Sequence, residues 1–197
     1  KRMSIPAGTK FHGVAPGVDT LNKGSATANA NRDAYTLEQL QSVLSPGWAR
    51  YVDTQYTAAA PFTLSDGVQV TLPNNAGTTT KSRLSSDFYN GATSKLVGLQ
   101  INEVCIISIE FKAQTPNANQ THLDLYITNG GGNIQNLEVA IGFIKGNATP
   151  EVFHNMFQYY VDQDFIDNGA TIQVQSHGGS ATVWDVEYFI QRTQYGE

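Results

Sequence analysis

From about Tyr51 onward, apolar and polar residues alternate in short runs separated by turn signals, whereas Lys1 to about Arg50 shows no strand period and no extended helix period. A side-chain period of two commits a segment to a strand with one face inward, and several such runs without long helices between them require sheets packed face to face. The first segment, rich in Gly, Asn, Ala and Thr, lacks the apolar surface to order itself and needs a partner to lie on. Two units with different jobs are therefore expected: an arm over residues 1–48 and a β domain over residues 49–197.

Strands are predicted at 49–58, 68–72, 95–100, 104–112, 121–128, 136–145, 151–162, 170–175 and 182–192. Asn90-Gly91, Thr115-Pro116-Asn117, Asn129-Gly130-Gly131-Gly132, Gly146-Asn147, Asn168-Gly169 and Gly178-Gly179 supply turns between them. This spacing predicts an antiparallel all-β sandwich, most simply a jelly roll. In Leu123-Asp124-Leu125-Tyr126-Ile127 one face is apolar and the other polar, the pattern of a half-buried strand. The runs Phe153 to Val161 and Trp184 to Ile190 instead place bulky groups on both parities. An apolar outer face must be covered by something, commonly another subunit, otherwise the chain's own arm or a long loop. Phe157, Tyr159, Trp184, Tyr188 and Ile190 are accordingly candidates for core and subunit packing in a homo-oligomer.

Within the arm, Phe11, Val14, Val18 and Leu21 are isolated apolar residues among helix-breaking glycines. A short helix is predicted near 36–44: Thr36 caps it, Gln39 completes a capping box, Tyr35 staples onto Leu40, and Ser45-Pro46-Gly47 ends it. A helix this short needs a docking surface for Leu37, Leu40, Val43 and Leu44.

Only 15% of the chain is charged, against about 25% in ordinary globular proteins, which suits a particle surface or a subunit interface. Lys1, Arg2, Lys10, Lys23, Arg32 and Arg50 outnumber Asp19, Asp33 and Glu38 in the first 50 residues, so the net charge of −5 conceals a strongly acidic remainder. An acidic domain repels phosphate backbones, and nucleic acid is not an expected partner. No stretch reaches the roughly 20 apolar residues of a membrane span, and no signal-peptide core is present, so folding in a cytoplasm without membrane insertion is expected.

Cys105 is the single cysteine, which leaves no intrachain disulfide and no cysteine-based zinc site. His12, His122, His154 and His177 are scattered, with no metal-ligand spacing, and no nucleophile elbow is present. The expectation is a non-enzymatic protein without cofactor or metal. Asp162, Asp164 and Asp167 form the densest oxygen cluster, readable as a solvated loop or a calcium site. Tyr89, Asn90, Asn117, Asn119, Asn133 and His177 fall in predicted loops where a carbohydrate-binding protein would carry its aromatic and amide groups.

Gly8-Thr9-Lys10-Phe11-His12-Gly13-Val14, then Val18-Asp19-Thr20, Asn22-Lys23-Gly24-Ser25 and Ala34-Tyr35-Thr36-Leu37-Glu38-Gln39-Leu40, resemble the N-terminal segment of tailed-phage virion structural proteins. The resemblance covers about the first fifth of the chain. It implies a virion component, made in a host bacterial cytoplasm, whose arm attaches to capsid or tail proteins through Phe11, Val14, Val18, Tyr35, Leu37, Leu40 and Leu44. It also implies that the following β domain, similar in pattern to tumour-necrosis-factor-like jelly rolls, forms a homotrimeric head fibre, decoration or tail knob. A receptor-binding or lectin-like module for host-surface glycan is the competing expectation.

Overall fold

The computed structural model describes residues 47–82, 87–116, 122–129, 134–142 and 149–194. The arm up to residue 46, with its predicted helix and attachment residues, lies outside them. The chain divides into a unit over Lys1–Leu44 and a second over Ser45–Glu197; the described residues all belong to the second.

Twelve strands occur among the described residues: β1 (Trp48–Val52), β2 (Phe62–Leu64), β3 (Gln69–Thr71), β4 (Thr78–Ser82), β5 (Tyr89–Asn90), β6 (Lys95–Leu96), β7 (Val104–Gln114), β8 (His122–Asn129), β9 (Ile134–Gly142), β10 (Glu151–Tyr160), β11 (Ala170–His177) and β12 (Ala181–Gln194). They build two antiparallel sheets. The first runs β10-β7-β12-β1-β4 with β2 also on β12, and the second runs β5-β6-β11-β8-β9 with β3 also on β11. Strands β7–β8 and β9–β10 form a long folded-over pair whose two halves sit in different sheets, because β7 pairs β10 and β8 pairs β9. Then β11 adds to β8 and β12 to β7. Successive strands thus cross between the layers, which makes the fold an antiparallel jelly-roll sandwich, as the turn spacing predicted.

The inward faces follow from the period of two. Cys105, Ile107, Ile109, Phe111 and Ala113 of β7, Leu123, Leu125 and Ile127 of β8, Phe153, Phe157 and Tyr159 of β10, and Ile172 and Val174 of β11 all enter one core. A buried Leu, Ile or Phe contributes about 1.5–3 kcal/mol by leaving water.

Three tyrosines tie one layer to the other. Tyr188 of β12 donates its hydroxyl to the Leu72 carbonyl at 2.9 Å, and Tyr51 of β1 accepts from the Phe88 amide at 2.9 Å. Tyr89 of β5 donates to the Asn74 carbonyl at 2.7 Å. Asn74, itself buried, passes its amide to the carbonyls of Tyr51 and Val186. Burial raises the phenol pKa of Tyr51 and Tyr89 to about 12, so both stay protonated donors or acceptors.

Several elements depart from the sequence expectation. The strand predicted at 49–58 ends at Val52, where the Asp53 carboxylate takes the Tyr56 and Asn75 amides and turns the chain. The strand predicted at 95–100 shrinks to two residues, and Gly98 then lies so close to Val161 that a Cβ would meet its Cγ1 at 2.4 Å. Strands β2, β4 and β5 have no counterpart among the predicted strands; β4, Thr-Thr-Thr-Lys-Ser, carries no apolar side chain to reveal it. The end of the strand predicted at 151–162 gives way to a helix, α1 (Gln163–Asn168), preceded by Asp162 as its cap. Asp162 accepts from the Phe165 amide at 2.8 Å, and Phe165 stacks on Tyr159 at 5.4 Å. Gly169 closes α1 at φ 71°, a conformation suited to glycine.

Strand β12 holds a bulge. Its register with β7 slips between Trp184 and Glu187, with Asp185 at φ 53° and its carboxylate 2.9 Å from the Lys112 ammonium. The slip changes parity: Ala181 and Val183 face the core on one side of it, Val186, Tyr188 and Ile190 on the other.

Replacing Tyr188 with Phe should strand the buried Leu72 carbonyl and cost about 1–3 kcal/mol. That loss lowers Tm by roughly 2–4 °C per kcal/mol in a domain of this size. An unchanged melt would show that the carbonyl finds another donor. The Cys105 thiol is pushed up to about 12, by burial first and by Glu103 second. Native protein should therefore resist alkylation at mildly alkaline pH and react fully only in denaturant; comparable rates in both would contradict the burial.

Candidate functional site

The five residues expected in subunit packing fall in two places. Phe157, Tyr159, Tyr188 and Ile190 belong to the chain's own core and offer no surface to a partner. Trp184 is buried at 5% exposure but stands outside the core cluster, because the bulge turns it to the parity of Lys112 rather than of Val186. Phe11, Val14, Val18, Tyr35, Leu37, Leu40 and Leu44 lie outside the described residues.

A different set of side chains points outward from β10 and β12. Val152 (62% exposed), Met156 (66%) and Tyr160 (49%) recur every fourth residue along β10, and Phe189 of β12 is exposed too. Cross-strand register sets Met156, Ser108 and Phe189 in one row, and Gln158, Ile106, Gln191 and Trp48 in the next. Trp48 stacks on Phe189 at 5.7 Å. Polar groups interrupt these apolar residues: Ser108, between Met156 and Phe189 in their row, shares a 2.7 Å hydrogen bond with His154, which stands between Val152 and Met156, while Arg50, beside Phe189, pairs with Glu187. Among the described residues β10 is the last strand of its sheet.

Along β3, β8 and β11 the outer face of the other sheet is polar. Thr71, Thr171, Gln173, Gln175 and Gln69 lie along β11 and β3, with Thr128 bonded to Thr171 at 2.8 Å and Gln69 bonded to Gln173. At one end of this face, His122 of β8 and His177 of β11 are direct cross-strand partners. Their rings stack at 4.8 Å and 13°. Asp124, two residues along β8 on the same face, sets Oδ2 at 2.8 Å from His177 Nε2 and Oδ1 at 3.7 Å from His122 Nε2. The shorter contact lacks hydrogen-bond alignment: His177 Nε2 and Asp124 Oδ1 have no hydrogen-bond partner among the described residues. Tyr126 donates its hydroxyl to Asp124 Oδ2 at 3.2 Å. All three ligand-type atoms lie within 4.8 Å of one another.

Sequence reasoning misses this cluster. The spacing of His122 and Asp124 by two on one strand face is visible, but the Gly178-Gly179 turn signal places His177 in a loop. Only the β8–β11 register brings it opposite His122.

Two other expected sites are occupied by structural work. Asp164 accepts from Asn168 Nδ2 at 2.6 Å and Asp167 from Gln163 Nε2 at 2.8 Å, while Asp162 caps α1. These carboxylates serve a helix rather than the solvated acidic loop expected of them. Tyr89 and Asn90 border a cavity of about 470 Å³ together with Tyr51 and Asp87. Both tyrosine rings are buried and their hydroxyls are committed, and Asn90 accepts the Ala92 and Thr93 amides. Neither ring is free to stack on a sugar. Asn117, Asn119 and Asn133 lie outside the described residues. Among the described residues no helix is long and apolar enough to cross a membrane.

No protein-family model matches the chain, and no curated protein matches it. Among solved structures it is similar to an Eiger TNF from S. frugiperda, at 11% identity and a TM-score of 0.47, over 77% of this chain and 96% of that one. It is similar to infectious bursal disease virus, Gx strain, at 12% identity and a TM-score of 0.43, over 75% of this chain and 32% of that one. A carbohydrate-binding module of the CBM4 type has 15% identity and a TM-score of 0.38, over 72% of this chain and 92% of that one.

Proposed function

We propose that the chain is a non-enzymatic virion structural protein, a homotrimeric capsid decoration or head fibre held to the particle by its N-terminal arm. The carrying observation is the apolar band of Val152, Met156, Tyr160 and Phe189 on the outer face of the first sheet. Exposed apolar side chains repeated along one face of a sheet lose contact with water only when another surface covers them, and a second copy of the chain supplies the same face. His154, Ser108, Arg50 and Glu187, interspersed on the same face, supply the polar contacts that such an interface also carries. Assignment to a virion, attachment through residues 1–48 and a count of three subunits rest on the resemblance of the Gly8–Leu40 motifs to tailed-phage virion proteins. The scarcity of charge in the chain agrees with life in a packed particle.

Sedimentation of the full chain at micromolar concentration should give the mass of three chains. Met156→Glu, at an exposed site that leaves the core intact, should weaken association on the order of 100-fold, because an unpaired charge buried in an interface costs about 3 kcal/mol or more. A wild-type monomer would remove the proposal's support. Deleting residues 1–45 should leave the oligomer assembled while abolishing decoration of particles; retained decoration would locate attachment in the β domain instead.

A further inference from the structure

We infer that His122, Asp124 and His177 form a binding site for a divalent first-row transition ion of the zinc class, at the end of the polar sheet face. The donor set is the first argument. Two imidazole nitrogens and one carboxylate oxygen suit zinc and its neighbours, whereas calcium and magnesium prefer oxygen alone. Three protein ligands leave a fourth position for water.

The state of Asp124 is the second argument. It is only 4% exposed, yet Oδ1 has no hydrogen-bond partner among the described residues, and neither does His177 Nε2 beside it. A buried carboxylate normally collects donors, because leaving it unmatched costs more than a hydrogen bond returns. Here a nitrogen and an oxygen stand 2.8 Å apart without the alignment of a hydrogen bond. His177 Nε2 and Asp124 Oδ1 are thereby left with lone pairs available to a cation, while Oδ2 accepts the Tyr126 hydroxyl.

The scaffold is the third. His122 and His177 are fixed opposite each other by eight consecutive β8–β11 pairs, and Asp124 sits on the same face two residues away. The Tyr126 hydroxyl on Asp124 Oδ2 supplies the outer hydrogen bond that orients a ligating carboxylate. The His122 and His177 side chains are 44% and 33% exposed, which leaves a path from solvent. A bound ion ties β8 to β11.

The test is titration of the untagged full chain, stripped with chelator, with zinc chloride by calorimetry, and with cobalt chloride by visible absorption. One ion per chain is expected, with a rise in melting temperature, and with His122→Ala, His177→Ala and Asp124→Asn each weakening binding about tenfold or more. His154→Ala, which alters a histidine of the opposite sheet, should bind as wild type. His122 is partly exposed, so its variant keeps the test decisive if the change at buried Asp124 impairs folding. Zinc binding that is equal in wild type and His122→Ala, or lost equally in His154→Ala, would overturn the site. The oligomer does not enter this readout, so failure here leaves the subunit proposal standing.

Discussion

Everything in the β domain depends on matching the polar groups that two layers of sheet bury between them. Large aromatic side chains fill the space, and tyrosine brings a hydroxyl with each ring. Tyr188 on Leu72, Tyr51 on the Phe88 amide and Tyr89 on Asn74 turn those hydroxyls into crosslinks between layers. Asn74 then ties the same loop to the carbonyls of Tyr51 and Val186. Asn74, between β3 and β4, is thereby bonded to β1, to β12 and to Tyr89 of β5. Arg192 and Glu103 follow the same rule: their buried ion pair is completed by the Leu99 amide on Glu103 at 2.9 Å and by the Phe88 ring beneath the guanidinium.

With the interior closed, the two outer faces are left with different chemistry. One carries an apolar band along β10 and β12, the other a ladder of Gln and Thr ending in the His122, Asp124 and His177 cluster. A face of Met, Val, Tyr and Phe is matched by protein surface, while a face of amides, hydroxyls and imidazoles is matched by water or ions. Such a division leaves a single sandwich with one side bearing exposed apolar residues and one side bearing polar ones. The Asp185 bulge enters this division directly, since it decides which residues of β12 reach the core and which look out.

Strands β7, β8 and β11 are legible in the chain because apolar and polar residues alternate along them, and β10 and β12 because they are long runs of bulky residues bounded by turn signals. β4 is not, because its threonines are held by backbone pairing to β1 and bury no side chain. Helix α1 is hidden behind a run of aspartates whose capping role is local but whose apolar anchor, Phe165, finds its partner in Tyr159. The candidate metal site is half legible: His122 and Asp124 share a face by simple alternation, but nothing near them in the sequence announces His177.

By itself the sequence determined the fold class, the positions of the long strands and the inward parity of β8. These are local properties, set by side-chain alternation and by turn residues within a few positions of one another. Tertiary structure decided which strands are neighbours, where the parity of β12 shifts, and which apolar residues become core and which become surface. Phe157 and Met156 are adjacent in the chain and equally apolar, yet one is sealed in the sandwich and the other is open. Pairing register joins residues far apart in the chain, such as His122 and His177, and that long-range choice is made by how the sheets pack, not by either segment alone.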